Sequence, residues 1–165
     1  MRRSFLFILT ILVLLLNSGC QKANRDIQQP VNFYYRANPV DYNSSSGVIT
    51  AETRESSGYE QDPIGLIEQY LQGPLDAGYL SPFPSDVHVE ELNSGESALQ
   101  ITLSANFSDL SGHNLTIACA CLSKTLMEIM QCDTVQIYAS GCDLGGNRFI
   151  EMKSDSFLFL DEYIQ

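Results

Sequence analysis

Residues 98–107 read ALQITLSANF, and this stretch limits the fold more than any other. Leu99, Ile101, Leu103, Ala105 and Phe107 alternate with Gln100, Thr102, Ser104 and Asn106. A side-chain period of two over ten residues predicts a strand with one face in a core and one in water, the pattern of an antiparallel sheet. The apolar face needs a cover, and the next segment can supply it. In Leu115–Met130 the residues Ala118, Leu122, Thr125, Leu126 and Ile129 recur at helical spacing, with Lys124 and Glu128 the charges, so a well-buried helix is expected. Thr134–Ala139 then reads as a returning strand with Val135 and Ile137 inward.

The same rules organise the rest of the chain. Val31, Phe33 and Tyr35 alternate with Asn32, Tyr34 and Arg36, and Val48–Thr53 is a weaker strand, so the two form a hairpin with a long polar loop. Asp62-Pro63 starts a helix, with Asp62 capping its amides and Pro63 in the first turn, where its missing N–H costs nothing. Ile64, Ile67 and Leu71 give that helix an apolar stripe with Tyr70 beside it, and Gly73-Pro74 ends it. Ser81-Pro82-Phe83-Pro84 is stiff extended chain leading to a strand at Val87–Leu92. Asn93–Glu96 is a turn, Gly141–Asn147 is another, and Phe149–Met152 with Phe157–Leu160 gives a closing strand or hairpin. The expectation is an α+β domain, two helices packed on one face of a mostly antiparallel sheet.

The chain of 165 residues opens with an address. Arg2 and Arg3 precede the apolar run Phe5–Leu16, broken by Thr10, and Asn17-Ser18-Gly19 precede Cys20. The run is too short to span a bilayer and reads as an export signal. A Cys directly after Ser-Gly resembles the bacterial lipobox, in which that thiol carries the lipid; Asn17 stands where the lipobox prefers Leu. Residues 1–19 are thus a lipoprotein signal peptide, 20–30 a polar tether and 31–165 one domain. The resemblance implies a protein on the outer face of the cytoplasmic membrane, held by lipid on Cys20. Losing Arg2 and Arg3 takes the net charge from −11 to −13, which argues against nucleic acid as a partner.

The stretch YLQGPLDAGYLSPFPSDVHVEEL resembles the signature of the GerMN domain of spore germination and sporulation lipoproteins. Gly73-Pro74, Gly78-Tyr79-Leu80, Ser81-Pro82 and Pro84 stand in its marked places, and Leu103-Ser104 and Phe107 match its next strand. Thr102 stands where an Asp is common, while Thr125-Leu126 and Val135 fall in register with the closing helix and strand. The likeness covers roughly residues 31–160. It implies a non-catalytic binding or assembly module, acting through protein or envelope contacts in sporulation or germination. The alternative is a peptidoglycan-binding or hydrolase-accessory protein. It carries no catalytic residues to transfer, no cofactor and no small-molecule ligand.

The reactive side chains give little chemistry. Cys119 and Cys121 are about 200° apart on a helix and cannot share a metal ion, so no metal is expected. For disulfides, the ten residues from Cys132 to Cys142 extend up to about 30 Å while the helix returns about 17–20 Å to Cys121 or Cys119. Cys119–Cys142 and Cys121–Cys142 are therefore the candidate bonds, against buried thiols. His88 should face solvent and His113 should lie in a loop; neither sits in a nucleophile motif, and no HExxH, GxSxG or P-loop occurs. Glu90-Glu91 and Asp161-Glu162 are adjacent pairs that a strand would split between faces, and Asp143–Asn147 lacks calcium-ligand spacing. The chain is read as not an enzyme. Tyr34, Tyr79, Phe83 and Tyr138 are the aromatic residues expected near the surface, where they could anchor a partner.

Overall fold

A computed structural model describes residues 30–38, 48–59, 61–95 and 97–155. Cys20, the tether and the segment Phe157–Leu160 lie outside these residues.

The class is the one expected, α+β, but the strands divide between two sheets rather than one. In the first, β1 (Val31–Ala37) lies between β2 (Ile49–Arg54) and the two-residue β3 (Tyr79–Leu80), both antiparallel to it. In the second, β4 (Val89–Ser94), β5 (Leu99–Leu103), β6 (Thr134–Ala139) and β7 (Ile150–Lys153) follow in sequence order. Here β5 and β6 are parallel, Leu99 opposite Val135 through Leu103 opposite Ala139, and the outer pairs are antiparallel. The parallel pair follows from the connection. The helix that joins these strands returns the chain to the starting end of β5, as a crossover does.

Helix α1 (Pro63–Leu71) begins as the sequence indicates, with Asp62 Oδ1 accepting from Gly65 N at 2.9 Å. Its buried face differs from the expected stripe. Leu66, Ile67, Tyr70 and Leu71 are buried, while Ile64 is 42% exposed. The helix turns its Leu66–Tyr70 face to the core, and Ile64 in the first turn faces out. Gly73 (φ 104°) ends the helix region in a conformation that favours glycine.

Helix α2 (Gly112–Met130) buries Ala118, Leu122, Thr125, Leu126 and Ile129 as expected. It starts three residues early, so His113 lies in its first turn, exposed. The helix also closes an edge. Where β3 is too short to cover β1, Tyr34 N donates to Thr125 Oγ1 at 3.0 Å and Asn32 N to Glu128 Oε1 at 3.3 Å. Side chains of α2 thus satisfy strand amides that would otherwise be an open edge.

The long alternation ends earlier than its pattern. Residues Ala105–Asp109 form a 3₁₀ turn, with Phe107 still buried. Ser104 ends the strand: its Oγ accepts from His88 N at 3.1 Å and donates to Asn106 Oδ1 at 2.6 Å. Such local side-chain bonds compete with the sheet ladder. In β4 the register shifts between Val89 and Glu91. Both Glu90 and Glu91 are exposed, and both border one groove, so the expected split between faces does not hold.

Between the sheets and helices, Tyr70 is fully buried against Phe33 (ring centroids 5.2 Å), Tyr35 (5.0 Å) and the edge-on Phe83 (5.2 Å). Each polar end is satisfied. Tyr70 Oη donates to Tyr34 O at 2.7 Å, and Tyr35 Oη donates to Tyr70 O at 2.8 Å.

Candidate functional site

The loop that follows α1 is held from beneath by a buried ion pair. Glu52 and Arg54 project from β2 on one face, two residues apart, and each is only 9% exposed. Arg54 Nε donates to Glu52 Oε2 at 2.7 Å, and its Nη2 also contacts that oxygen. The same Nη2 donates to Gly73 O at 2.8 Å and to Tyr35 Oη at 3.3 Å. The guanidinium lies over Phe33 at 5.0 Å. Glu52 Oε1 in turn accepts from Leu75 N at 3.0 Å and Asp76 N at 2.9 Å. The buried ion pair is therefore a rivet through the Gly73–Asp76 loop. A further clasp, Gly78 N to Asp76 Oδ1 at 2.7 Å, turns the chain into β3.

On this fixed loop the Leu75 side chain is 82% exposed. A large apolar group held that far into water by a rigid backbone has lost little freedom to lose on docking, which is the condition for an efficient contact.

Beyond β3, the chain borders a groove of about 380 Å³ between Ser81–Pro84 on one side and Asp109, Leu110, Asn114 and Ile117 on the other, with Arg36 also lining it. Pro82 and Pro84 have no N–H, and Phe83 N donates to Ser81 Oγ at 3.2 Å. The Phe83 amide is thus occupied, and neither proline has one to offer a ligand. Arg36 Nε is buried and makes no hydrogen bond among the described residues.

A second, wider groove of about 820 Å³ lies at the carboxyl ends of the parallel strands β5 and β6. Glu90, Glu91, Thr102, Tyr138, Cys142, Asp143 and Arg148 are among its borders. Among the described residues no three His, Cys, Asp or Glu side chains converge as a metal ion requires, and no helix is long and apolar enough to cross a membrane.

The side chains singled out from the sequence are scattered. Cys119 and Cys121 are buried on α2, and burial pushes both thiols up to about 12. Cys142 is exposed after β6, and no disulfide joins it to either. His88 is exposed. Of the four aromatics expected near the surface, Tyr34, Tyr79 and Tyr138 are half-buried, but Phe83 is buried because it forms one wall around Tyr70. Tyr34 is committed to α2, with Oη donating to Glu128 Oε2 at 3.1 Å and Lys124 over its ring; burial raises its pKa to about 12, with the Glu128 charge adding to the effect. Glu52, Arg54, Leu75 and Arg36 were not legible as site residues. An acid and a base at positions i and i+2 of one strand face were the available signal for the first two.

No curated protein matches the sequence. The fold is shared with solved structures, among them two from one protein. The first GerMN domain of the sporulation protein GerM from Bacillus subtilis is similar with a TM-score of 0.52 at 15% identity, covering 73% of this chain and 92% of that one. The tandem GerMN domains of the same protein give 0.53 at 18% identity, covering 73% of this chain and 44% of that one. The Germane family, described by sporulation and spore germination, matches residues 32–145. With more than half its length matched, the chain carries a GerMN-like domain and belongs to the Germane family of sporulation and spore germination.

Proposed function

We propose that this protein is an extracytoplasmic lipoprotein, anchored through Cys20, whose GerMN-like domain is a non-catalytic binding or assembly module in sporulation or germination. The observation that carries the reading is Leu75, 82% exposed on a loop that the buried Glu52–Arg54 pair holds in place. A buried charge pair contributes little net stability on its own. Its value here is positional: it fixes the backbone that presents an apolar contact to a protein partner in the envelope. The lipid supplies residence at the membrane, and a strongly acidic domain does not itself adhere to anionic lipid.

Capture from sporulating and vegetative membranes tests this. The wild-type chain should enrich a defined protein, and Leu75→Asp should lose it while keeping its melting temperature. Cys20→Ala should move the protein from the membrane to the soluble fraction. The carboxylates Glu90, Glu91 and Asp143 around the wider groove favour one second reading, a peptidoglycan-binding or hydrolase-accessory role. Enrichment of muropeptides, with no protein dependent on Leu75, would select that reading instead.

A further inference from the structure

We infer that the groove between Ser81–Pro84 and the start of α2 binds an acidic side chain of a partner polypeptide, with Arg36 as its carboxylate contact. The inference rests on the binding-module reading and adds the chemistry of what is bound.

Of the other arginines and lysines among the described residues, Arg148 is exposed at the border of the wider groove, and the remaining three are engaged. Arg54 serves Glu52 and Gly73 O, Lys153 pairs with Glu151, and Lys124 lies over Tyr34. Arg36 differs. It lines a concave site, has no ion pair among the described residues, and keeps its Nε buried without an acceptor. A buried donor with no acceptor among the described residues costs free energy. A carboxylate drawing the guanidinium into a bidentate Nε–Nη contact removes that cost.

The charge of the site selects among anions. Asp109 borders the same groove, so one negative charge beside Arg36 is already present. A monovalent carboxylate leaves a smaller excess of like charge than a phosphate dianion would, within a chain that is strongly acidic overall. The walls select a polypeptide. Pro82, Leu110 and Ile117 give apolar surface for a flanking side chain, and Ser81 and Asn114 provide side-chain hydrogen-bonding groups for a peptide backbone. A volume of about 380 Å³ is within the usual range of ligand clefts, about 300–1,000 Å³.

The probes are acetyl-Leu-Glu-Leu-amide, its Gln counterpart and inorganic phosphate, observed by saturation-transfer NMR on the full chain in detergent micelles. The Glu peptide should bind about tenfold more tightly than the Gln peptide, and phosphate at equal concentration should not displace it. The preference should vanish in Arg36→Gln and be partly kept in Arg36→Lys. Asn114→Asp tests the same site from an exposed position where folding is not at risk, and it should weaken the Glu peptide about tenfold. Equal binding of the two peptides, no peptide signal, displacement by phosphate, or a preference that survives both Arg36→Gln and Asn114→Asp overturns the inference. The membrane capture separates the two levels. If Leu75-dependent capture persists while the peptides are not distinguished, the carboxylate site fails and the module reading stands. If the wild-type chain captures no protein, the module reading itself fails.

Discussion

Replacing Glu52 by Gln removes one charge from a pair in which both members are 9% exposed, and it changes almost no volume. The carboxylate has two duties: Oε2 accepts from Arg54, and Oε1 accepts from the Leu75 and Asp76 amides. An amide has one acceptor oxygen and one donor group, so one duty is lost whichever way it points. If the oxygen keeps the loop, Arg54 becomes a buried charge facing an N–H donor. Breaking a buried pair from one side costs about 3–5 kcal/mol, against a total of about 5–15 kcal/mol for a domain. For a domain of this length that lowers the melting temperature by roughly 10–20 °C. Urea unfolding followed by circular dichroism should show the drop in free energy at an unchanged m-value. Hydrogen exchange should show the Leu75 and Asp76 amides losing protection first. The double variant Glu52→Leu, Arg54→Met should recover most of the global stability, since apolar replacement of a whole pair is often neutral, yet leave those two amides exchanging fast because their acceptor is gone. A loss below about 1 kcal/mol for Glu52→Gln would be the value of an exposed pair and would refute the rivet.

Three further outcomes follow from the same contacts. Tyr70→Phe removes the 2.7 Å bond to Tyr34 O and keeps the ring packing, so it should cost about 1 kcal/mol in urea unfolding. Burial raises Tyr34 to about 12 and Tyr35 and Tyr70 also upward. Their neutral forms are favoured by folding, so their contribution is full below pH 10 and declines as pH rises above it; a late step in tyrosinate absorbance should therefore coincide with loss of the folded circular dichroism signal. With Cys119 and Cys121 pushed up to about 12 and Cys142 exposed, iodoacetamide at pH 8 should label Cys142 at once and the two helix thiols only after unfolding. A Cys119–Cys142 or Cys121–Cys142 peptide in unreduced mass spectra would contradict that pattern.

What the sequence discloses here is set by the range of each interaction. The helix start at Asp62-Pro63, the Gly73 stop and the alternation around Leu99–Leu103 are local, written within four or five residues, and each appears where the pattern places it. The division into two sheets is not local. It depends on β3, two residues long, pairing Leu80 with Arg36 across more than forty positions, and on α2 bonding the open edge of β1. Ser104 shows the limit of periodicity itself, because the alternation continues to Phe107 while a hydroxyl has already ended the strand. Phe83 shows the same limit for exposure: between two prolines it reads as a surface aromatic, and only the distant Tyr70 ring makes it core.

The candidate site is less legible than the fold for a related reason. Gly73-Pro74 and Ser81–Pro84 identify the domain, yet none of those residues offers a reactive group. Their effect is to hold backbone in place, and the groups that complete the surface come from elsewhere in the chain. Glu52 and Arg54 arrive from β2, and Arg36 from β1. An acidic residue in a weak strand, read alone, is a solvated charge. Once Leu75 N and Asp76 N bond to it, the same residue fixes the position of the most exposed large apolar side chain described. A signature built from glycine and proline can therefore mark a family while leaving its contacts to residues outside the signature. Relatives that keep the Gly-Pro turn but lack an acid–base pair at the positions of Glu52 and Arg54 should then hold this loop loosely. Hydrogen exchange at the residues matching Leu75 and Asp76 would separate the two groups, and equal protection in both would show that the turn alone fixes the loop.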